Sequence, residues 1–164
     1  MTLSHIFISP GHNFVGRHGL EPENHGMLAL DRVECVAGRG LRGDRFFDHK
    51  PDFKGQVTLF SAAVFRDLCE WQKNPSLAPS VLRRNLLVEH PDLNDLIGRE
   101  FSLQGVRLLG AEECRPCYWM DRAIGPGAED WLRGRGGLRC RILTDGWLTL
   151  PAVPAAHAGP AAGR

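Results

Sequence analysis

The sequence predicts a mainly-β fold, a barrel with a few short helices. Short runs rich in β-branched and aromatic residues recur along the chain. Nineteen glycines and eleven prolines punctuate them with turns. Only one stretch keeps a helical apolar period. Many short strands stay soluble best when their edges are hidden, which a barrel achieves. A chain of 164 residues suits one domain with a real core. We place that domain at residues 1–150, followed by an Ala/Pro/Gly tail at 151–164 expected to be disordered.

The elements follow in order. Leu3-Ser-His-Ile-Phe-Ile-Ser9 reads as a strand, ended by Pro10-Gly11. Residues 11–26 are polar and read as a loop. It holds His12, His18 and His25, whose spacings of six and seven fit no short metal-ligand motif. Met27 to Val36 reads as one half-buried strand, broken by Gly38-Arg-Gly40. In Leu41-Arg-Gly-Asp-Arg-Phe-Phe47, Gly43 marks a close backbone approach. Arg45 can bind an oxyanion through two N–H groups, with Asp44 holding it; the alternative is a surface ion pair of little worth.

Gln56-Val-Thr-Leu-Phe60 is a strand. Ser61 then caps a helix with Val64, Phe65, Leu68 and Trp71 on one face. Cys69 lies near that face and reads as structural. Arg83-Arg84-Asn85 leads into the strand Leu86-Leu-Val88. Neighbours on an extended chain point to opposite sides, so one arginine faces a pocket and the other solvent. Asn85 offers a donor and an acceptor.

Asp92 to Gly98 reads as a capped turn. Phe101-Ser-Leu and Val106-Arg-Leu-Leu form a hairpin about Gln104-Gly105. Gly127 to Leu132 reads as a short helix. Gly134-Arg-Gly-Gly137 is a basic turn whose N–H groups and Arg135 suit an anion. It lacks the Walker ending and the Rossmann glycine pattern. Leu138 to Leu143 alternates, and Asp145-Gly146 reads as a hairpin turn into Trp147-Leu-Thr-Leu150.

Composition sets bounds on function. Twenty basic against nineteen acidic residues leave a formal charge of +1, which argues against general affinity for nucleic acid or membrane. No apolar run approaches the roughly 20 residues that span a bilayer. The first residues show no secretory signal. Five cysteines form no disulfide framework, so reduced thiols in a cytoplasm is the simplest reading.

The chemistry centres on Gly110-Ala-Glu-Glu-Cys-Arg-Pro-Cys-Tyr-Trp-Met-Asp-Arg122. Cys114 and Cys117 there admit three readings. A structural zinc site needs a second pair, and none exists. A thioredoxin-like redox pair needs a strand-to-helix turn, which Pro116 disfavours. A reactive thiolate assisted by basic neighbours remains, able to carry sulfane sulfur or ligate a soft metal. A lone cysteine can also be a small buried hydrophobe.

Glu113-Cys-Arg-Pro-Cys117 and Gly134-Arg-Gly-Gly-Leu-Arg139 together resemble the end of the MOSC domain, named for the C-terminal part of molybdenum-cofactor sulfurases. Val36 to Arg45, Gln56 to Leu59 and Arg83 to Leu86 match further blocks in the right order. Ile6 to Asn13 resembles a subgroup of small stand-alone members. The resemblance implies a barrel that binds a molybdenum-cofactor-type ligand, a metal bound to a pterin carrying a phosphate. It makes Cys117 the working cysteine, as molybdenum ligand or sulfur carrier, with Cys114 an accessory. It places Arg45, Arg84, Arg135 and Arg139 against the phosphate or pterin, and Gln56 and Asn85 on polar edges. The family often has a histidine where Phe46 stands, so any role of that histidine is absent or moved.

Three functions stay open. A molybdenum-bound protein would reduce N-hydroxylated compounds with electrons from a separate electron-transfer protein. A persulfide carrier would be loaded by a cysteine desulfurase, because no pyridoxal-phosphate lysine motif is recognisable here. A binding or chaperone module would hold the cofactor without turnover. The sequence leaves substrate and oligomeric state open.

Overall fold

The computed structural model describes residues 1–152. Ten strands build it. They are β1 (Thr2–Ile8), β2 (Leu28–Leu30), β3 (Arg32–Val36), β4 (Gly40–Leu41), β5 (Val57–Ser61), β6 (Leu86–Glu89), β7 (Glu100–Leu103), β8 (Val106–Glu113), β9 (Leu138–Ile142) and β10 (Gly146–Thr149). Three helices accompany them: α1 (Ala62–Trp71), α2 (Trp119–Ala123) and α3 (Ala128–Trp131). The expected mainly-β class holds.

Seven strands form one sheet in the order β2-β1-β6-β5-β9-β8-β7, and three form a second, β10-β3-β4. The large sheet curls into a half-barrel. Its hydrogen-bond ladder ends at β2 and β7, so the expected absence of edges is not met. Both edge strands are short, which limits their exposure as templates. One pairing is parallel, β5 with β6, and α1 makes the crossover between them.

Strand β5 is buried at every position because both its faces are covered. Leu59 joins the core inside the half-barrel, with Leu3, Ile6, Leu86, Leu108 and Leu138. Phe60 joins a second core under the helices, with Leu68, Leu82, Met120 and Leu132. Ser61 caps α1 as expected, its hydroxyl accepting from the Val64 N–H at 3.4 Å.

Three expectations change. The single strand at 27–36 is two, split at Asp31. The hairpin at Asp145-Gly146 does not form. Strand β9 pairs with β5 and β8, while β10 crosses to pair with β3. The Asp145 carboxylate accepts from the Ala37 N–H at 2.7 Å, so it ties that crossing down rather than folding a hairpin. Arg83 is not on an extended chain. It ends the 3-10 turn Pro79–Leu82 with φ of 52°, and is 8% exposed rather than solvent-facing. The hairpin at Gln104-Gly105 forms between β7 and β8 as expected, both turn residues at positive φ. Of the predicted tail, residues 153–164 lie outside the described residues.

Candidate functional site

Strand β8 ends at Glu113, and the next residues run along the turn 134–137. The Cys114 N–H donates to the Gly137 carbonyl at 2.7 Å. A Cβ on Gly136 would sit 2.5 Å from the Cys114 carbonyl oxygen and 2.9 Å from the Pro116 ring, so the turn must be glycine to lie this close. Arg84 clamps both segments. Its Nε donates to the Gly136 carbonyl at 3.0 Å and Nη2 to the Cys114 carbonyl at 3.1 Å. The third nitrogen reaches the Leu82 carbonyl at 2.9 Å.

A cavity of about 510 Å³ opens beside this clamp. Cys114 and Cys117 both line it, with Arg45, Arg83, Arg84, Arg115 and Arg139, and no aspartate or glutamate. Cys114 is buried and Cys117 exposed. The far wall is aromatic: Phe46 packs against His12, His49 and Phe53 with ring centres 4.8 to 5.4 Å apart.

The charges differ in their availability. Burial lowers the Arg45 pKa, and Asp44, which accepts from its guanidinium at 3.3 Å, opposes the shift. Burial and then Arg45 lower Arg83 to about 10, which still leaves it protonated near neutrality. All of its guanidinium hydrogen bonds go to the chain at residues 9–25. Burial also acts against the Arg139 charge, but the Cys114 thiol and Glu112 outweigh it and raise its pKa. Arg139 thus lies beside the Cys114 sulfur with one nitrogen bonded to Glu112 at 3.2 Å. Burial, reinforced by Arg45 and His49, lowers His12, favouring the neutral ring. By contrast, burial pushes the core thiol Cys35 to about 12 and raises Cys140 as well. Those two are inert packing.

The residues picked from the sequence therefore divide. Arg45, Arg84, Arg139 and Cys117 share the cavity. Gln56 and Asn85 do not line it. The Gln56 amide donates to the Gly38 carbonyl at 3.1 Å and accepts from the Ile142 N–H at 2.8 Å. Asn85 is likewise occupied within the core by Thr58, Phe7 and Asp44. Arg135 stacks over Trp131 at 4.3 Å and borders a separate, smaller hollow. Arg115, expected from the sequence as a basic neighbour of the thiols, also lines the cavity, but sequence reasoning missed His12, His49 and Phe53. Only their folded proximity reveals them, because His12 belongs to a loop far from the thiols in sequence. No group of three or more His, Cys, Asp or Glu with metal-binding geometry occurs among the described residues.

The buried position of Arg83 changes what its removal does. Arg83→Ala is expected to free the 11–26 segment and speed tryptic cleavage after Arg17 several-fold in limited proteolysis. Arg84→Ala should leave that cleavage unchanged and instead loosen the Cys114 segment. Equal cleavage of wild type and Arg83→Ala would contradict this division.

Comparisons place the chain among known proteins. Among solved structures, the YuaD protein from Bacillus subtilis superposes with a TM-score of 0.66 at 21% identity, covering 91% of this chain and 92% of that one. YiiM from Geobacillus stearothermophilus gives 0.66 at 12% identity, covering 90% and 70%. YiiM from Escherichia coli gives 0.62 at 12% identity, covering 91% and 66%. These likenesses concern the fold. No curated protein matches the chain. The MOSC domain family matches residues 37–150, a span holding both thiols and the turn that packs on them, and the chain belongs to that family.

Proposed function

We propose that this MOSC protein binds a molybdenum–pterin cofactor in the arginine-lined cavity, with a cysteine thiolate as metal ligand. One observation carries the reading: five arginines and two cysteines line a single cavity from which carboxylates are absent. A cavity of about 510 Å³ lies within the range of small-molecule sites, roughly 300–1,000 Å³. Its donor set suits an anionic ligand bearing a soft metal. Arg139 and Arg115 would hold the phosphate, while Arg45, which already donates to Asp44 and to the Arg83 carbonyl at 3.0 Å, would add its charge from behind. Arg84 would act indirectly, since its nitrogens already hold carbonyls. Cys117 would ligate the metal, by its match to the family cysteine. Molybdenum would supply two-electron redox chemistry, and the expected substrates are N-hydroxylated compounds, reduced with an external electron donor. The chain's own part is to bind, orient and partly enclose the reacting group.

The test is metal and pterin analysis of protein purified from a host that makes the cofactor. Molybdenum and pterin should co-purify. Cys117→Ser should lower molybdenum retention by about tenfold or more, the scale of losing a metal-site group. Wild-type protein free of both would overturn the reading.

One observation favours a second reading, a persulfide carrier. Cys117 is exposed at the cavity mouth, where a protein donor can reach it. Incubation with a cysteine desulfurase and cysteine should then add one sulfur at Cys117, seen by mass spectrometry. No added sulfur, with molybdenum present in purified protein, would decide against it.

A further inference from the structure

We propose that residues 11–26 form a gate over the cavity, hung on Arg83 and latched to α2, which controls access to Cys114 but not to Cys117. The proposal does not depend on which group the cavity binds.

The segment has the form of an Ω-loop, whose ends lie close together. Its neck is built on one arginine. The Arg83 guanidinium donates to the Gly11 carbonyl at 2.9 Å, the His25 carbonyl at 2.6 Å and the Ser9 hydroxyl at 2.9 Å. That hydroxyl also lies 3.0 Å from the Gly26 carbonyl. Both ends of the loop thus meet on one buried cation. Arg83 reaches them from a left-handed backbone conformation, φ 52°, which non-glycine residues seldom adopt. Above the neck, Asn13 holds the two limbs together. Its amide donates to the His25 carbonyl at 3.2 Å and accepts from the His25 N–H at 2.7 Å. The loop is therefore internally braced and can move as a unit.

The far end is held differently. Phe14 stacks on Trp119 at 4.6 Å. His18 meets the Tyr118 ring edge-on at 5.3 Å. Glu21, 82% exposed in its side chain, pairs with Arg122 at 2.7 Å. All three partners lie on or next to α2, directly after Cys117. The latch is thus two ring contacts and one solvated ion pair, none individually strong.

The closed state also carries a cost. His12 Nδ1 on the loop and Tyr118 Oη beside α2 are both buried with no hydrogen-bond partner among the described residues. An unsatisfied buried polar atom is destabilising by an amount similar to what such a latch contributes. Opening hydrates both atoms and breaks the latch together with the His12 contacts to Phe46 and His49, while the neck on Arg83 stays made. The penalty of the two unpaired atoms offsets part of what closure gains, which lowers the cost of opening. Residues His12 to Gly16 and His18 form one wall of the cavity in the closed state. Cys114 lies inside at 5% exposure, whereas Cys117 is exposed already.

Site-resolved alkylation with iodoacetamide, followed by mass spectrometry on the full chain, tests this. Arg122→Glu breaks the ion pair and should raise the Cys114 rate at least about threefold, as expected when a local opening becomes more frequent. Cys117 should change less than about twofold, and Cys35 and Cys140 should stay protected. Adding Glu21→Arg to Arg122→Glu restores the pair with its charges exchanged and should return Cys114 toward its original rate. Phe14→Ala, which removes the stacking contact, should also speed Cys114. An unchanged Cys114 rate in both Arg122→Glu and Phe14→Ala overturns the gate. So does labelling of Cys35 and Cys140 in step with Cys114, because the opening would then be global unfolding.

Discussion

Replacing Gly137 with alanine is expected to lower the melting temperature by roughly 10 °C, from a loss of about 3–5 kcal/mol at about 2–4 °C per kcal/mol for a chain this size. Gly137 sits at φ 104°, a conformation that L residues rarely adopt. Its missing side chain matters as much. A Cβ there would overlap the Leu59 carbonyl oxygen and come within 3.3 Å of the Phe60 ring. Both belong to β5, buried on both faces, so neither can retreat. Displacing Gly137 would also pull its carbonyl from the Cys114 N–H. Gly38→Ala separates the two causes. Gly38 has φ 71° but nothing within 4 Å of its would-be Cβ, so only the backbone strain, about 1 kcal/mol, applies. Thermal unfolding followed by circular dichroism should show a large shift for Gly137→Ala and a small one for Gly38→Ala. Equal shifts would mean that the close approach to β5 relaxes freely.

The other large effect is expected at Asn85. Its side-chain oxygen accepts from the Thr58 N–H at 3.0 Å and from the Thr58 hydroxyl at 2.9 Å. Its nitrogen donates to the Phe7 carbonyl at 3.1 Å and to Asp44 at 3.2 Å. One amide thus joins β1, β5 and the residue before β6 to the loop that carries Arg45. At 1% exposure no water replaces it readily. Asn85→Ala strands several buried polar groups at about 1–3 kcal/mol each, with some relaxation, so a total near 3–5 kcal/mol is expected. Urea unfolding should show a lower midpoint with an unchanged slope. Asn85→Asp keeps the shape but sets a carboxylate against Asp44, and should be no better. A midpoint within a few tenths of molar of wild type for Asn85→Ala would show that the network carries little stability.

Local signals were legible where local chemistry decides the structure. Ser61 capping α1, Gln104-Gly105 turning β7 into β8, and the glycines of 134–137 follow from residue type alone. Asp145-Gly146 misled because a turn dipeptide states that the chain bends, not which strand receives it. The sheet supplied β3 as the partner. Arg83 misled for a related reason. Alternation assumes an extended chain, and the preceding 3-10 turn placed Arg83 in the left-handed region instead. At the cavity, Cys117, Arg45, Arg84 and Arg139 were found through the order of motif blocks. The wall of His12, His49 and Phe53 had no such signal, since its parts are ordinary loop residues until the fold gathers them. Gln56 and Asn85 show the reverse case. Polar residues beside a site look like ligand contacts in sequence, yet their hydrogen bonds are spent on the scaffold.

The pairing of β10 with β3 bears on how the chain is made. Cys35 faces Gly146 across that ladder, and Val33 faces Leu148. While the polypeptide leaves the ribosome, β3 waits for a partner more than a hundred residues downstream. At about 5–20 residues per second, that interval is roughly 6–22 s. Through it β3 has only the two residues of β4 to pair with. Until then the Leu148 side of the packing around Val33 is open, although Leu3, Ile6, Leu41 and Val57 of the same core are already made. The second sheet can therefore close only after residue 149 has been made. A nascent chain stalled before residue 146 would present an apolar, unpaired strand to chaperones, and to other copies of itself.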